Sequence, residues 1–203
     1  HGAFGLLRTL LRQLRRAFPC TPVRVRVDGG FAGNDWLDFL EAERVEYVVG
    51  LANNPRLARR AGRLLGEAYG LSKYSGRTEH VYGETLYAAQ SWSHRRHVSI
   101  KAEVVRRSGH EPKCNPRFVV TNLREAPAAV YAVYCQRGEM ENRIKECQLD
   151  LFADRTSTRA MRSNQLRLWF ASMAYVLLAA LRRIALPATR LARATAGPIR
   201  LKL

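Results

Sequence analysis

The stretch VYAVYCQRGEMENRIKECQLDLFAD, from Val130 to Asp154, decides the fold of this chain. It contains one glycine and no proline and is rich in helix formers, so it predicts a helix. At about 100° per residue, six apolar side chains fall within one sector of that helix. They are Val130, Val133, Met140, Ile144, Cys147 and Leu151. This side is therefore expected to face a core, whereas Glu139 and Glu146 are expected to point to solvent.

A polar row follows the edge of this apolar stripe. It consists of Tyr134, Arg137, Glu141 and Lys145. One interpretation is a ladder of ion pairs along the helix border, in which each pair contributes about 0.2–0.5 kcal/mol. The other is a phosphate-handling face, where Glu141 holds a divalent cation while Arg137 and Tyr134 bind a phosphate. Spacing alone favours the ladder.

The residues around the polar row resemble a known family. Tyr134-x-x-Arg137-x-x-x-Glu141 is similar to the signature helix of the DDE transposases of bacterial insertion sequences. The longer string YCQRGEMENRIKECQLDLFADRTS, residues 134–157, resembles one subgroup of them, the transposase DDE domain proteins. A run of this length is much more specific than three residues at fixed spacing, so the resemblance favours the phosphate-handling interpretation.

The charge of the chain is strongly positive and unevenly distributed. Its 203 residues include 34 Lys and Arg against 17 Asp and Glu, for a net charge of +17. Residues 1–27 contain six Arg and no acid, and residues 155–203 contain ten basic residues and no acid. This balance indicates a polyanionic partner, nucleic acid first and an anionic membrane second. The length suffices for a domain with a sizeable core.

The cysteines point to a reducing compartment, and the apolar segments to a chain without a membrane span. The four cysteines form no CxxC pair, and free thiols in a cytoplasm are the simplest interpretation. A zinc site built from His94, His97, His110 and Cys114 would fit no standard spacing. No signal peptide is recognisable, and the apolar run 168–181 is too short to cross a membrane. The segment Leu168–Ile184 is instead expected to be a buried core helix.

The first half of the chain predicts an α/β layer fold. A helix over residues 4–18 precedes a strand, PVRVRVD, that ends in Asp28-Gly29-Gly30-Phe31. An acid at the carboxyl end of a strand lies where α/β sheets keep their sites, although an Asp that starts a turn and caps a helix has the same pattern. A helix over 34–43, a strand over 45–51 and a helix over 55–69 then follow, and this order predicts parallel strands.

The middle of the chain has a different character. Residues 76–122 alternate or are β-branched, which predicts antiparallel strands. Within them, Trp92 is expected in the core on general grounds. The resemblance offers another role, because an aromatic residue of the β-rich insertion in related transposases can stack on a displaced base. Arg95, Arg96 and Lys101 are candidates for phosphate contacts nearby.

The resemblance implies a ribonuclease-H-like α/β core with a β-rich insertion before the glutamate-bearing helix. The expected divisions are 1–75 for a partial core, 76–123 for the insertion and 124–203 for the rest of the core. The family places its second catalytic Asp in a strand-Asp-x-Gly-Phe setting, which Asp28 matches, and its Glu at the position of Glu141. These carboxylates would bind two Mg²⁺ or Mn²⁺ ions. The family's lysine position is Gln148 here, with Lys145 one turn earlier.

The implied function is DNA transposition by phosphoryl transfer at insertion-sequence ends. The expected partners are the terminal inverted repeats and target DNA, bound by a homodimer in a synaptic complex, with no membrane partner. The expected location is the bacterial cytoplasm, at the nucleoid. No acid precedes Asp28, so the first Asp and the first three strands are expected to be missing, and the chain is expected to be an inactive C-terminal portion. The alternative is a non-catalytic basic DNA-binding module.

Overall fold

A computed structural model of the chain describes residues 2–202. The helices of this part are α1 (Gly2–Ala17), α2 (Asn34–Ala42), α3 (Pro55–Ser75), α4 (Pro127–Cys135), α5 (Arg137–Asp150), α6 (Met161–Ile184) and α7 (Ala196–Lys202). The strands are β1 (Arg24–Val27), β2 (Glu46–Leu51), β3 (Glu79–Tyr87), β4 (Arg96–Val105), β5 (Lys113–Cys114) and β6 (Arg117–Thr121). The chain divides into two compact units, His1–Arg137 and Gly138–Leu203.

The first unit is built on one mixed sheet. Its strand order is β1-β2-β6-β4-β3, and β5 pairs with β4. The predicted parallel pair is confirmed, since β1 and β2 run parallel from Arg24↔Glu46 to Val27↔Val49. The remaining pairings are antiparallel, and β6 joins β2 directly from Val48↔Thr121 onward. The strands expected as an insertion therefore belong to the same sheet as β1 and β2.

Each face of this sheet is covered by helices. On one face, Leu11 of α1, Leu37 of α2 and Leu57 of α3 are fully buried in the larger core cluster. On the other face, Val130 of α4 packs with Val48 of β2 in a second cluster. Because β2 lies between these two layers, its residues 47–50 are all buried. A strand covered on both faces reads as a continuous apolar run, as the sequence of β2 does.

The signature stretch forms two helices rather than the single helix that its periodicity predicted. The first ends at Cys135, with Gln136 as its C-cap, and the second begins at Arg137. Arg26 of β1 donates to the carbonyl of Val133 at 3.1 Å and to Oε1 of Gln136 at 3.0 Å. A guanidinium that binds the Val133 carbonyl and the Gln136 side chain at the end of α4, followed by the poor helix former Gly138, accounts for the interruption.

The second unit corrects three expectations about burial. Met140 and Ile144 of the apolar stripe are exposed, whereas Glu146, expected in solvent, is 7% exposed. Helix α6 was predicted to be buried, and this prediction is wrong. Its exposed apolar side chains are Met161, Leu166, Leu168, Trp169, Phe170, Met173, Val176, Leu177 and Ile184. The unit supplies few partners for a 24-residue helix, and in α6 only Ala171 is buried. No helix within residues 2–202 is both long and apolar enough for a membrane span.

Candidate active site

Asp28 lies directly after β1, at the carboxyl end of that strand. Its Oδ1 accepts a hydrogen bond from the backbone N–H of Gly30 at 3.0 Å and so caps the short 3-10 helix Gly29–Phe31. The side chain is exposed. The two interpretations of this residue are therefore compatible, because the capping bond engages one carboxylate oxygen at a strand end that faces solvent.

A cavity of about 450 Å³ lies beside this turn. Its walls come from Gly29, from residues 50–53 at the end of β2, from residues 114–118 and from α4. The parallel pairing of β1 and β2 is the reason, since the carboxyl ends of parallel strands meet at one sheet edge. Five side chains give the cavity hydrogen-bonding groups: Asn53, Asn115, Arg117, Tyr131 and Tyr134. A guanidinium among amides and phenols is a donor set suited to a phosphodiester.

Tyr134, the first residue of the signature, reaches the turn that follows Asp28. A Cβ placed on Gly50 would lie 2.5 Å from the Tyr134 hydroxyl oxygen and 3.2 Å from the backbone nitrogen of Gly29. Position 50 therefore needs glycine for two independent reasons. The fold thus brings the signature tyrosine and the strand-end acid to the same edge of the sheet.

Tyr131 lies one helical turn before Tyr134, and the two ring centroids are 6.1 Å apart. Desolvation by burial, helped by the nearby Cys135, raises the pKa of Tyr131 to about 12. Its phenol therefore stays protonated at neutral pH and can donate a hydrogen bond into the cavity. The Lys101 ammonium lies 5.4 Å from the centroid of this ring and pairs with Glu103 at 2.6 Å.

The remaining signature residues lie in α5. Arg137 and Glu141 both have interaction partners in the structure. Glu141 and Lys145 belong to the second unit, whereas Asp28 and Tyr134 belong to the first. Lys145 lines a cavity of about 550 Å³ within the second unit, together with Glu139, Asn142 and Glu146.

The candidates from the β-rich region divide by exposure. Arg95 is exposed, as a phosphate contact requires. Trp92 is 8% exposed, its indole N–H donates to the carbonyl of Ala32 at 3.0 Å, and its ring packs against Tyr87. Trp92 therefore holds the core position that general grounds predicted. To stack on a DNA base, it would have to leave that position.

Arg96 does not present its guanidinium to solvent, contrary to what a phosphate contact requires. Its side chain is 2% exposed and pairs with Asp38 and, at 2.8 Å, with Glu41. Desolvation opposes ionisation of Glu41, but the hydrogen bonds from Arg96 and Tyr47 and the Arg96 charge outweigh it and lower the pKa of Glu41. The ion pairs instead connect α2 to the start of β4.

Sequence reasoning missed this acidic group, which also contains a histidine. Asp38, Glu41 and His94 offer ligand atoms within 4.8 Å of one another, a spacing that could hold a metal ion. The Arg96 guanidinium, however, already contacts both carboxylates. A metal cation there would stand beside a buried positive charge, so the group is best explained as an ion-pair network. No spacing rule could have found it, because Arg96 is 55 residues from Glu41 in sequence.

Comparison with known proteins identifies the family of this chain. The family model for the transposase DDE domain, group 1, matches residues 1–203, which is the whole chain. None of the curated proteins matches it.

Proposed function

Because the chain belongs to the transposase DDE domain family, group 1, we propose that it acts in DNA transposition by metal-dependent phosphoryl transfer at insertion-sequence ends. One observation carries the proposal. Asp28 stands at the carboxyl end of β1, and the turn after it lines a cavity shared with Tyr134 of the signature. A metal-binding acid next to phosphate-binding donors is the arrangement that phosphoryl transfer needs.

The metal in this proposal is Mg²⁺ or Mn²⁺, and the resemblance assigns Asp28 and Glu141 as its ligands. Asp28 fits such an ion, since it is exposed and offers hard carboxylate oxygens. Its capping bond from the Gly30 N–H engages Oδ1. When bound, a pair of such ions activates the attacking hydroxyl and stabilises the leaving oxygen of a phosphodiester. The resemblance assigns two of the family's three carboxylates. We therefore expect no nicking activity from this polypeptide alone.

The side chains around the cavity bind and orient the DNA in this scheme. Arg117 holds a backbone phosphate, and Asn53 and Asn115 add hydrogen bonds to phosphate or sugar oxygens. The phenols of Tyr131 and Tyr134 donate at the wall formed by α4. Arg137 and Lys145 supply further phosphate contacts from α5. A homodimer in a synaptic complex, bound to terminal repeats and target DNA at the nucleoid, completes the proposal.

A non-catalytic basic DNA-binding module is the second candidate. The net charge of +17 favours it equally. It gives no role to Asp28 at the strand end or to Glu141 in the signature, so the two candidates differ in metal binding.

The test is Mn²⁺ binding by the full chain, measured by calorimetry for wild type, Asp28→Asn and Glu141→Gln. The matched control is Glu139→Gln, which removes an exposed carboxylate two residues from Glu141. We expect Asp28→Asn and Glu141→Gln to lower the Mn²⁺ affinity at least about tenfold and to leave metal-free DNA binding unchanged. Glu139→Gln should bind Mn²⁺ as the wild type does. Equal Mn²⁺ affinity in all four proteins would support the non-catalytic module. Mg²⁺-dependent nicking that Glu141→Gln abolishes would contradict the expected inactivity.

A further inference from the structure

A cavity of about 880 Å³ lies wholly within the second unit, apart from the proposed active site. Its walls are the loop after α5, one side of α6 and the end of α7. Guanidinium, hydroxyl and phenyl groups line it: Arg155, Arg167, Arg200, Thr156, Phe152 and Phe170. This volume is in the range of cavities that hold small organic ligands. The lining combines positive charge with aromatic surface.

The lining of this cavity holds three arginines and one acid, Asp154. Within residues 2–202, no carboxylate forms an ion pair with Arg155, Arg167 or Arg200. Asp154 lines the cavity without pairing with any of the three. Clustered guanidinium groups repel one another unless an anion joins them, so the arrangement favours an anionic ligand.

Phe152 is the centre of the arrangement. Its φ of 61° is in the left-handed region, which is unfavourable for a bulky residue. The guanidinium carbons of Arg155 and Arg200 lie 3.9 Å and 4.6 Å from its ring centroid. The loop is tied on both sides, because Ala153 N–H donates to the Cys147 carbonyl at 3.0 Å and Arg167 donates to the Arg155 carbonyl at 3.0 Å. These contacts fix the backbone of the loop that carries Phe152 and Arg155 and place the Arg167 guanidinium against it.

The wall that carries Arg200 is also fixed. Glu146 accepts from the N–H of Ala196 at 2.6 Å, and Asp150 accepts from the N–H of Gly197 at 2.8 Å. These two carboxylates occupy the start of α7, where exposed N–H groups favour negative charge. The buried Ile199 anchors the same helix. The position of Arg200 over Phe152 therefore follows from contacts of α5 with α7.

We propose that this cavity binds one unpaired nucleotide of DNA. Arg155, Arg167 and Arg200 take its phosphate, and the base stacks on Phe170, whose side chain is 61% exposed. The ligand class rests on the proposed function, since DNA is the polyanion that function requires. The cavity lining places guanidinium groups beside phenyl rings, so that one nucleotide can contact both with its phosphate and its base.

The experiment compares binding of a short single-stranded oligonucleotide and a duplex of the same sequence to the full chain, without metal. Phe170→Ala tests stacking, and Trp169→Ala is its control, an exposed aromatic on the same helix outside the cavity lining. Arg200→Ala tests the phosphate contact. Arg162→Ala is its control, because it removes the same charge from an exposed position of the same unit.

We expect Phe170→Ala to weaken single-stranded binding at least about fivefold and to leave duplex binding within about twofold. Arg200→Ala should weaken single-stranded binding more than Arg162→Ala at equal ionic strength. If Phe170→Ala and Arg200→Ala lowered single-stranded affinity no more than their controls, the nucleotide site would be refuted, whereas the proposed DNA-binding function would stand. Binding of wild type to neither DNA would instead refute the proposed function. The proposal would also be wrong if the protein showed no preference for single strands and bound vesicles of phosphatidylserine and phosphatidylcholine in a way that Phe170→Ala abolished. The ligand of the cavity would then be a membrane surface.

Discussion

The hydroxyl of Tyr134 lies where a side chain on Gly50 would have to stand. A Cβ at position 50 would come within 2.5 Å of that oxygen and 3.1 Å of the ring carbon that bears it. The contact joins the signature residue of α4 to the end of β2 and to the turn after Asp28. Any side chain at position 50 must therefore move the tyrosine, the sheet or both.

We predict that Gly50→Ala destabilises the protein by about 1–3 kcal/mol, the usual effect of overpacking a filled site. Gly62→Ala is the control, because a Cβ there meets nothing within 4 Å and alanine favours the α3 helix. Chemical denaturation measures both. If the clash with the phenol is the cause, Tyr134→Phe in the Gly50→Ala background will recover part of the loss, and strictly additive effects would contradict that cause.

The pH dependence of stability should report the ion pairs of Arg96. Desolvation raises the pKa values of Asp38 and Glu41, but other interactions lower them below their ordinary values of 3.8 and 4.5. These are hydrogen bonds from Ser93 and Arg96 to Asp38, hydrogen bonds from Arg96 and Tyr47 to Glu41, and the charge of Arg96. A carboxyl with a depressed pKa in the folded state contributes stability above its unfolded pKa, and this contribution disappears as the pH falls through the folded pKa. We therefore expect stability to fall below about pH 4.

Glu41→Gln tests the same ion pairs at neutral pH. It removes a charge-assisted hydrogen bond while Asp38 still pairs with Arg96, so we expect the free energy of unfolding to fall by roughly 1–2 kcal/mol. The decrease in stability below about pH 4 should also become less steep. Glu67→Gln is the control, because Glu67 pairs with Arg63 on the exposed side of α3. If stability decreased identically with falling pH in wild type and Glu41→Gln, other carboxyls would control acid unfolding.

Trp92→Ala should reveal whether this residue supports the fold. The side chain is 8% exposed and packs on Tyr87, so its removal is expected to cost about 3–5 kcal/mol. Trp92→Phe keeps most of the packing and loses the hydrogen bond to Ala32, for a smaller cost of about 1–2 kcal/mol. Thermal unfolding distinguishes the two. A Trp92→Phe protein of wild-type stability with weakened DNA binding would favour base stacking by Trp92.

Glu146→Gln is expected to destabilise the second unit. Glu146 accepts from Arg182 at 2.7 Å and from the Ala196 N–H, and its side chain is 5% exposed. A neutral amide leaves the partly buried Arg182 without its counter-charge, which costs about 3 kcal/mol. Glu139→Gln, exposed on the same helix, should cost less than about 0.5 kcal/mol. Hydrogen exchange at the Ala196 amide is the local measurement, and equal protection in both variants would contradict the role of Glu146.

Local patterns predicted the positions of most elements in the first unit. The alternation of Val and Arg before Asp28 predicted β1, and the apolar run at 45–51 predicted the buried strand β2. The signature also predicted the family. The candidate site residues themselves remain predictions, apart from the location of Asp28 beside the cavity that Tyr134 lines.

The sequence by itself determined most helices and strands of the first unit and the family, and its charge indicated a polyanionic partner, because periodicity, charge and a long motif are local properties. Only the tertiary structure decided the helix end at Gln136, the burial of Arg96 and the burial of Glu146. Each depends on a partner distant in sequence: Arg26 is 107 residues from Val133, Arg96 is 55 from Glu41 and Arg182 is 36 from Glu146. Helical angles assign a side chain to a face, but the partner packed against that face decides whether the charge is buried.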